Sequence, residues 1–231
     1  MTPPVIPTPW LDPLRAALPG LRATFLLRDP AIPVTTAKEE TLARLLPAQL
    51  KSALALGFST SHLHLAEQIH GAELALAKSP EPENHPRADG LITTTPGIPL
   101  GIHVADCGAV FLLDPETPAI ALLHSGKKGT ELEITTRAIQ AMIKNFGTNP
   151  AHLHLALAPC IRPPHYEIDF ATEILAQARR AGLKEKNIHD SKTCTASDLT
   201  HHYSYRAEKG KTGRHLALLQ LPTPPPPSSL S

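Results

Sequence analysis

Residues 100–130 read LGIHVADCGAVFLLDPETPAIALLHSGKKGT. Three apolar runs, 100–105, 110–113 and 120–123, are short and rich in Leu, Ile, Val and Phe, as buried strands are. Asp114-Pro115 and Pro118 separate the second run from the third, because proline cannot donate to a strand's hydrogen-bond ladder. The third run ends at His124 and turns through Ser125-Gly126-Lys127-Lys128. From 129 to 146 the spacing changes to that of a helix, with Ile134, Ala138 and Met142 beside Ile139, Ile143 and Phe146. Thr130 can cap this helix, and Gly147 ends it.

The same alternation of short strands and few helices extends outward. Residues 23–28 (ATFLLR) form an apolar run ended by Asp29-Pro30, and 62–67 alternate like a strand that delivers the chain to His70. Residues 38–56 carry leucines at helical spacing, and Pro47 is expected to split that helix. Residues 91–94 read as a further strand before the turn Pro96-Gly97. HLHLALA at 152–158 is a strictly alternating, half-buried strand leading to Pro159-Cys160. Residues 169–181 form a second amphipathic helix closed by Gly182, and 215–221 a last strand. These elements predict an α+β fold: a layered, mixed α/β single domain with β-sheets flanked by helices. We expect one domain over 1–221 and a Pro/Ser-rich, extended, disordered tail over 222–231, which could alternatively serve as a proline-rich ligand. Strand order does not follow from the sequence.

Bulk properties narrow the function classes. In 231 residues, 42% are hydrophobic and 19% charged, ordinary for a soluble globular chain able to bury roughly 70% of its unfolded surface. A net charge of +1 lacks the basic footprint of a nucleic-acid binder. No stretch approaches the ~18 apolar residues of a membrane span, and the N-terminus lacks the basic and apolar regions of a secretory signal. Three widely spaced cysteines, Cys107, Cys160 and Cys194, suggest neither a disulfide framework nor a CxxC zinc ribbon. A cytoplasmic location follows as the expectation. There is no GxGxxG, P-loop or GxSxG signature.

Three residues carry the chemical signal. His70 (in Gln68-Ile69-His70-Gly71), Cys107 (in Ala105-Asp106-Cys107) and His124 (in His124-Ser125-Gly126) each stand at a strand end or turn. Singly, each has an ordinary structural explanation: a hydrogen-bonded histidine, a buried small thiol, a strand-end imidazole. Together they form either a zinc site with an open fourth position or a Cys-His nucleophilic pair. Lys127 and Lys128, entering a helix, add positive charge suited to an anion. His62 and His64 share a strand face, as do His152 and His154. The pair His201-His202 reads as readily as a surface feature.

Several segments, in order, resemble the YfiH family, also labelled laccase-domain or polyphenol oxidase proteins and regarded as purine nucleoside enzymes. They are Gln68-Ile69-His70-Gly71, Ala88-Asp89-Gly90-Leu91-Ile92-Thr93, Ala105-Asp106-Cys107, His124-Ser125-Gly126, Ala158-Pro159-Cys160-Ile161 with Tyr166-Glu167, Tyr203-Ser204-Tyr205-Arg206 and Thr212-Gly213-Arg214. The resemblance implies His70, Cys107 and His124 as metal ligands, and zinc-dependent phosphorolysis of adenosine, inosine, guanosine or methylthioadenosine, with adenosine deamination beside it. It implies purine nucleoside and phosphate as partners, and offers Arg28, at the end of ATFLLR, as a phosphate ligand. Asp106 and Lys127 would orient or neutralise charge next to the substrate.

The chain departs from the family where Trp-Arg is expected after His-x-Gly. Lys127-Lys128 keep the charge but lose the aromatic ring and the planar guanidinium. Asp29-Pro30-Ala31-Ile32-Pro33 replace a Gly-rich segment, and a partner cysteine after Cys194-Thr195 is missing. The competing readings are a copper-dependent phenol oxidase, a metal-free hydrolase with Cys107 as nucleophile, and a non-catalytic binding protein.

Overall fold

The computed structural model describes residues 8–223; the expected tail lies outside them from 224 onward. Eleven strands among these residues form two mixed sheets. The first has the order β1-β11-β6-β2-β4: β1 (Arg22–Leu26), β11 (His215–Gln220), β6 (Pro99–Val104), β2 (His64–Ala66) and β4 (Glu83–His85). The second runs β10-β9-β7-β8-β5-β3: β10 (Ile188–Asp190), β9 (His154–Leu157), β7 (Gly108–Asp114), β8 (Ala119–Ser125), β5 (Gly90–Thr93) and β3 (Leu74–Leu76). The helices are α1 (Asp12–Ala17), α2 (Lys38–Ala55), α3 (Lys127–Glu131), α4 (Ile134–Phe146) and α5 (Phe170–Arg180).

The apolar runs exist because the central strands are covered on both faces. Along β7, Ala109, Phe111 and Leu113 join the core between the sheets, while Val110 and Leu112 face the opposite core. In β8, Ile120 and Leu122 point inward and Ala121 and Leu123 outward. That outer core packs on Ile134, Ala138, Ile139 and Met142 of α4 and on Phe170, Ile174 and Ala178 of α5. Strand β11 divides in the same way. Ala217 and Leu219 face the other sheet, and Leu216 and Leu218 face Ala53 of α2 and the Phe58 that follows it. The layers are therefore α2, five strands, six strands, then α4 and α5, a mixed α/β arrangement.

Two helix boundaries differ from expectation. Pro47 lies inside α2 without splitting it. The carbonyl its missing N–H leaves free is that of Ala43, on the exposed side of the helix and open to solvent. Residues 129–146 do not make one helix, because Glu133 adopts a left-handed conformation (φ 58°) and separates α3 from α4. Gly147 does close α4 in a left-handed C-cap, its N–H donating to Ile143 O, and the Asp169 carboxylate caps α5 by accepting from Thr172 N. Strands β3, β4 and β10, three residues each, and the short helix α1 have no counterpart in the sequence reading.

His215 opens β11, fully buried among Phe25, His202 and Tyr203. Its Nε2 accepts from Tyr203 N (3.0 Å), so in the neutral ring Nδ1 donates to Leu26 O (3.2 Å). Burial, and then the charge of His202, bring this imidazole down to about 3 from its ordinary 6.5. The unfolded chain takes up the proton near 6.5 and the fold resists it until about 3. Stability is therefore full above pH 6.5 and declines as pH falls towards 3. This one group makes the protein about 2 kcal/mol less stable at pH 5 than at pH 7. Urea unfolding, followed by the fluorescence of Trp10, checks the value. The uncharged substitution His215→Asn should lessen the dependence between those pH values by about that amount, leaving the share of the other buried histidines such as His103.

Candidate metal centre

Three connections bring the sequence motifs together. The loop after β2 carries His70, the β6–β7 connection carries Cys107, and β8 carries His124 near its end. Strands β7 and β8 pair with Gly108 opposite Ser125 and Ala109 opposite His124, which places Cys107 beside the end of β8. One donor atom from each of His70, Cys107 and His124 lies within 4.8 Å of the other two. The two imidazoles meet edge to face with centroids 4.8 Å apart. His124 is buried, Cys107 partly so, and His70 is exposed.

Asp89, completely buried at the entry to β5, organises the group. Its Oδ1 accepts from His70 N (2.9 Å), and its Oδ2 from Gly71 N (2.7 Å) and Ile69 N (3.2 Å). The same Oδ1 lies 2.8 Å from His124 Nδ1. A carboxylate is acceptor-only, so Nδ1 carries a hydrogen and Nε2 is the ring atom that can serve as a ligand. Gln68 and His70 both occupy left-handed backbone (φ 63° and 61°), and the Asp89 carboxylate secures that strained loop. Gly126 is needed for a different reason: a Cβ there would come within 2.4 Å of Cys107 Sγ.

Electrostatics favour the ligating form of the thiol. Burial alone would push Cys107 up, but the charge and hydrogen bonds of His124 and His70 outweigh it and hold the thiol well below its usual range. His124 is raised, against its own burial, by Cys107 and Asp89. Two imidazoles and a thiol prone to ionise suit a zinc-class cation that retains one open position. The residues present fit such an ion.

The three donors line a cavity of about 890 Å³. Lys38, Lys127, Lys128, Arg206, Lys209 and Arg214 make its wall basic, and Tyr166, Phe170 and Tyr205 make part of it aromatic. Lys127 stands on the wall, held only loosely by Glu131 at 3.9 Å. Asp106 lines the cavity as well, but both its oxygens are engaged: Oδ1 accepts from Thr195 Oγ1 (2.7 Å) and Oδ2 from Arg206 N (2.7 Å). Its position fixes the backbone that carries Tyr205 and Arg206.

Arg28 is placed elsewhere. It does not line the cavity; its guanidinium pairs with Glu208 (2.8 Å) and lies over the Tyr203 ring. Arg214 occupies the basic wall instead, extended over Tyr205. Asp89, Arg206 and Arg214 all fall within motifs quoted from the sequence, where they carried no assigned role. Acidic Asp89, followed by Gly90 at the mouth of a strand, was the available signal.

A family model described as multi-copper polyphenol oxidoreductase laccase matches residues 43–179 and 168–222. The chain belongs to this laccase-domain family. It is 32% identical over 197 residues to a purine nucleoside phosphorylase of Deinococcus radiodurans, covering 74% of each chain. It is 25% identical over 203 residues to purine nucleoside phosphorylase YlmD of Geobacillus stearothermophilus, covering 71% of this chain and 74% of that one. The solved YlmD of that organism superposes with a TM-score of 0.81 at 20% identity, over 90% of this chain and 94% of its own. Bacillus licheniformis YfiH gives 0.78 at 20% identity, over 87% and 92%. These two likenesses show the fold.

Because Asp89 acts on His124 and on the loop of His70 together, Asp89→Asn should weaken metal binding by roughly 10–100-fold. Competition with a chromogenic chelator measures this, and circular dichroism verifies that the variant remains folded.

Proposed function

We propose that the protein is a zinc-dependent purine nucleoside phosphorylase that also deaminates adenosine. The observation that carries the reading is the position of the His70–Cys107–His124 donor set in the wall of a basic, aromatic-lined cavity. The names of the relatives in Deinococcus and Geobacillus supply the reaction class. In phosphorolysis a phosphate oxygen bonds to the ribose carbon C1′, the C1′–N9 bond breaks, and the purine departs with that electron pair and takes up a proton.

The chain's own residues suit that sequence. Arg214, Lys127 and Lys128 attract the phosphate dianion, and the fixed guanidinium fork of Arg214 gives it two donors in one plane. Tyr166 and Tyr205, one face of each lying under the guanidinium of Arg206 or Arg214, supply the aromatic surface for a purine, a role that falls to them because Lys127 stands where the resemblance places a tryptophan. Removal of bulk water strengthens the cationic field as charge spreads over the leaving base. When bound, zinc at His70, Cys107 and His124 supplies a Lewis acid and lowers the pKa of water there to ~7, the requirement of the deamination branch.

The competing chemistries make different demands. A phenol oxidase requires redox copper, and a two-imidazole, one-thiolate set is able to take copper too. Elemental analysis of protein purified without chelator or added metal therefore comes first, with zinc expected. Incubation with adenosine and phosphate should then yield adenine and ribose phosphate, and inosine from the second branch, separated by chromatography. Detection of none of these from zinc-loaded protein rejects the proposal. Cys107→Ser should remove turnover, whereas Arg214→Ala should lower kcat/KM for phosphate by about 10²-fold. A metal-free cysteine hydrolase would instead keep full activity after dialysis against chelator.

A further inference from the structure

Among the described residues a second group of side chains gathers ligand atoms: one donor each from His64, Glu83 and His85 lies within 4.8 Å of the other two. They belong to β2 and β4, which pair in parallel with His64 opposite Glu83 and Ala66 opposite His85. Successive side chains on a strand alternate faces, so Glu83 and His85, two apart, project to one side. His64 is fully buried and His85 nearly so, while the Glu83 side chain is half exposed.

The two rings share a single hydrogen. His64 Nε2 lies 2.9 Å from Ser79 O, which only accepts, so Nε2 carries the ring hydrogen and His64 Nδ1 is a lone pair. That lone pair lies 2.8 Å from His85 Nε2, and His85 Nδ1 faces Glu83 Oε1 at 3.6 Å. With both rings neutral, the hydrogen of His85 sits on Nε2 and bridges to His64 Nδ1, which leaves His85 Nδ1 facing the half-exposed Glu83 without a hydrogen bond. A cation in place of that shared hydrogen would engage both imidazoles and the Glu83 carboxylate together. A proton is a poor candidate, because burial and then neighbouring His64 disfavour the His85 imidazolium, and only Glu83 supports it.

We propose that His64, His85 and Glu83 form a second divalent transition-metal site, of the zinc class, separate from the His70–Cys107–His124 centre. Two buried imidazoles and a carboxylate are a recognised ligand set for such ions, and water completes the sphere on the exposed side of Glu83. The hydrogen bond from His64 to Ser79 O is the outer contact that fixes a ligating histidine in its tautomer. Tetrahedral donors at ~2.0 Å from one ion stand roughly 3.3 Å apart, so the two rings, whose nitrogens point at each other across 2.8 Å, must separate by about half an ångström and also tilt to turn both lone pairs onto the ion.

The site clamps a weak edge. Strand β4 is short, polar and at the margin of its sheet. Past His85 the chain reaches Asp89 in four residues, and past Ala66 it reaches His70 in four. An ion bridging His64 and His85 therefore ties together the two segments that lead into the first centre.

Zinc alone is the probe. The full chain, equilibrated with excess zinc and desalted, should retain two ions by elemental analysis. His85→Asn should retain one, and Cys107→Ser should retain the other. Cobalt(II) separates the two: the sulfur-to-cobalt charge-transfer band should saturate at one equivalent, while visible ligand-field absorption continues to rise to the second. Glu83→Gln, at a half-exposed position that cannot threaten the fold, should weaken the second equivalent at least about tenfold and leave the charge-transfer band unchanged. A wild-type protein that stops at one ion, His85→Asn that still holds two, or Glu83→Gln with unaltered affinity each overturns the proposal. None of these outcomes depends on the reaction assigned to the first centre.

Discussion

The carboxylate of Asp89 joins two parts of the candidate site. One is the loop of residues 69–71, whose three N–H groups it accepts; the other is the imidazole of His124 on β8. Four donors on one buried acceptor satisfy nearly every lone pair, which makes a buried charge tolerable. Against its burial, the hydrogen bonds from His124 and from the Gly71 and His70 N–H groups hold this carboxyl below its usual range. The site thus inherits its geometry from a single ionised residue that does not itself line the cavity.

Much of the fold was legible because its central strands are buried on both faces. β7 and β8 contain no exposed position except near the tight turn between them, so they read as unbroken apolar runs. The strands that escaped notice are those without this property. β4 is Glu83-Asn84-His85, a sequence with no apolar residue, and it sits at a sheet edge, held to β2 by the backbone ladder and the His64–His85 contact. Glu133 looked like one more helical residue, since nothing in its side chain announces a left-handed backbone. Pro47 misled in the other direction, because its penalty depends on whether the carbonyl it frees is wet, a fact of packing rather than of sequence.

The candidate site divides along similar lines. His70, Cys107 and His124 were visible because each sits in a short, ordered motif at a strand end. Of the basic wall only Lys127 and Lys128 were, because the rest come from positions 38, 206, 209 and 214 and meet them only through the fold. Arg28 was offered by the family resemblance of ATFLLR alone. Glu208 takes up its charge across a separation of 180 residues, a pairing no local pattern reveals.

Strain concentrates where the donors are. Gln68, His70 and Asp106 all hold left-handed backbone without being glycine, each at a cost of order 1–3 kcal/mol. Each is fastened by a separate set of bonds: Gln68 exchanges two hydrogen bonds with His103 across to β6, His70 is tied to Asp89, and Asp106 accepts from Thr195 and Arg206. Such a loop relaxes readily if any fastening is lost, which moves His70 first, because His70 is the exposed member of the trio. The geometry of the donor set therefore rests less on the three ligands than on the buried polar contacts behind them.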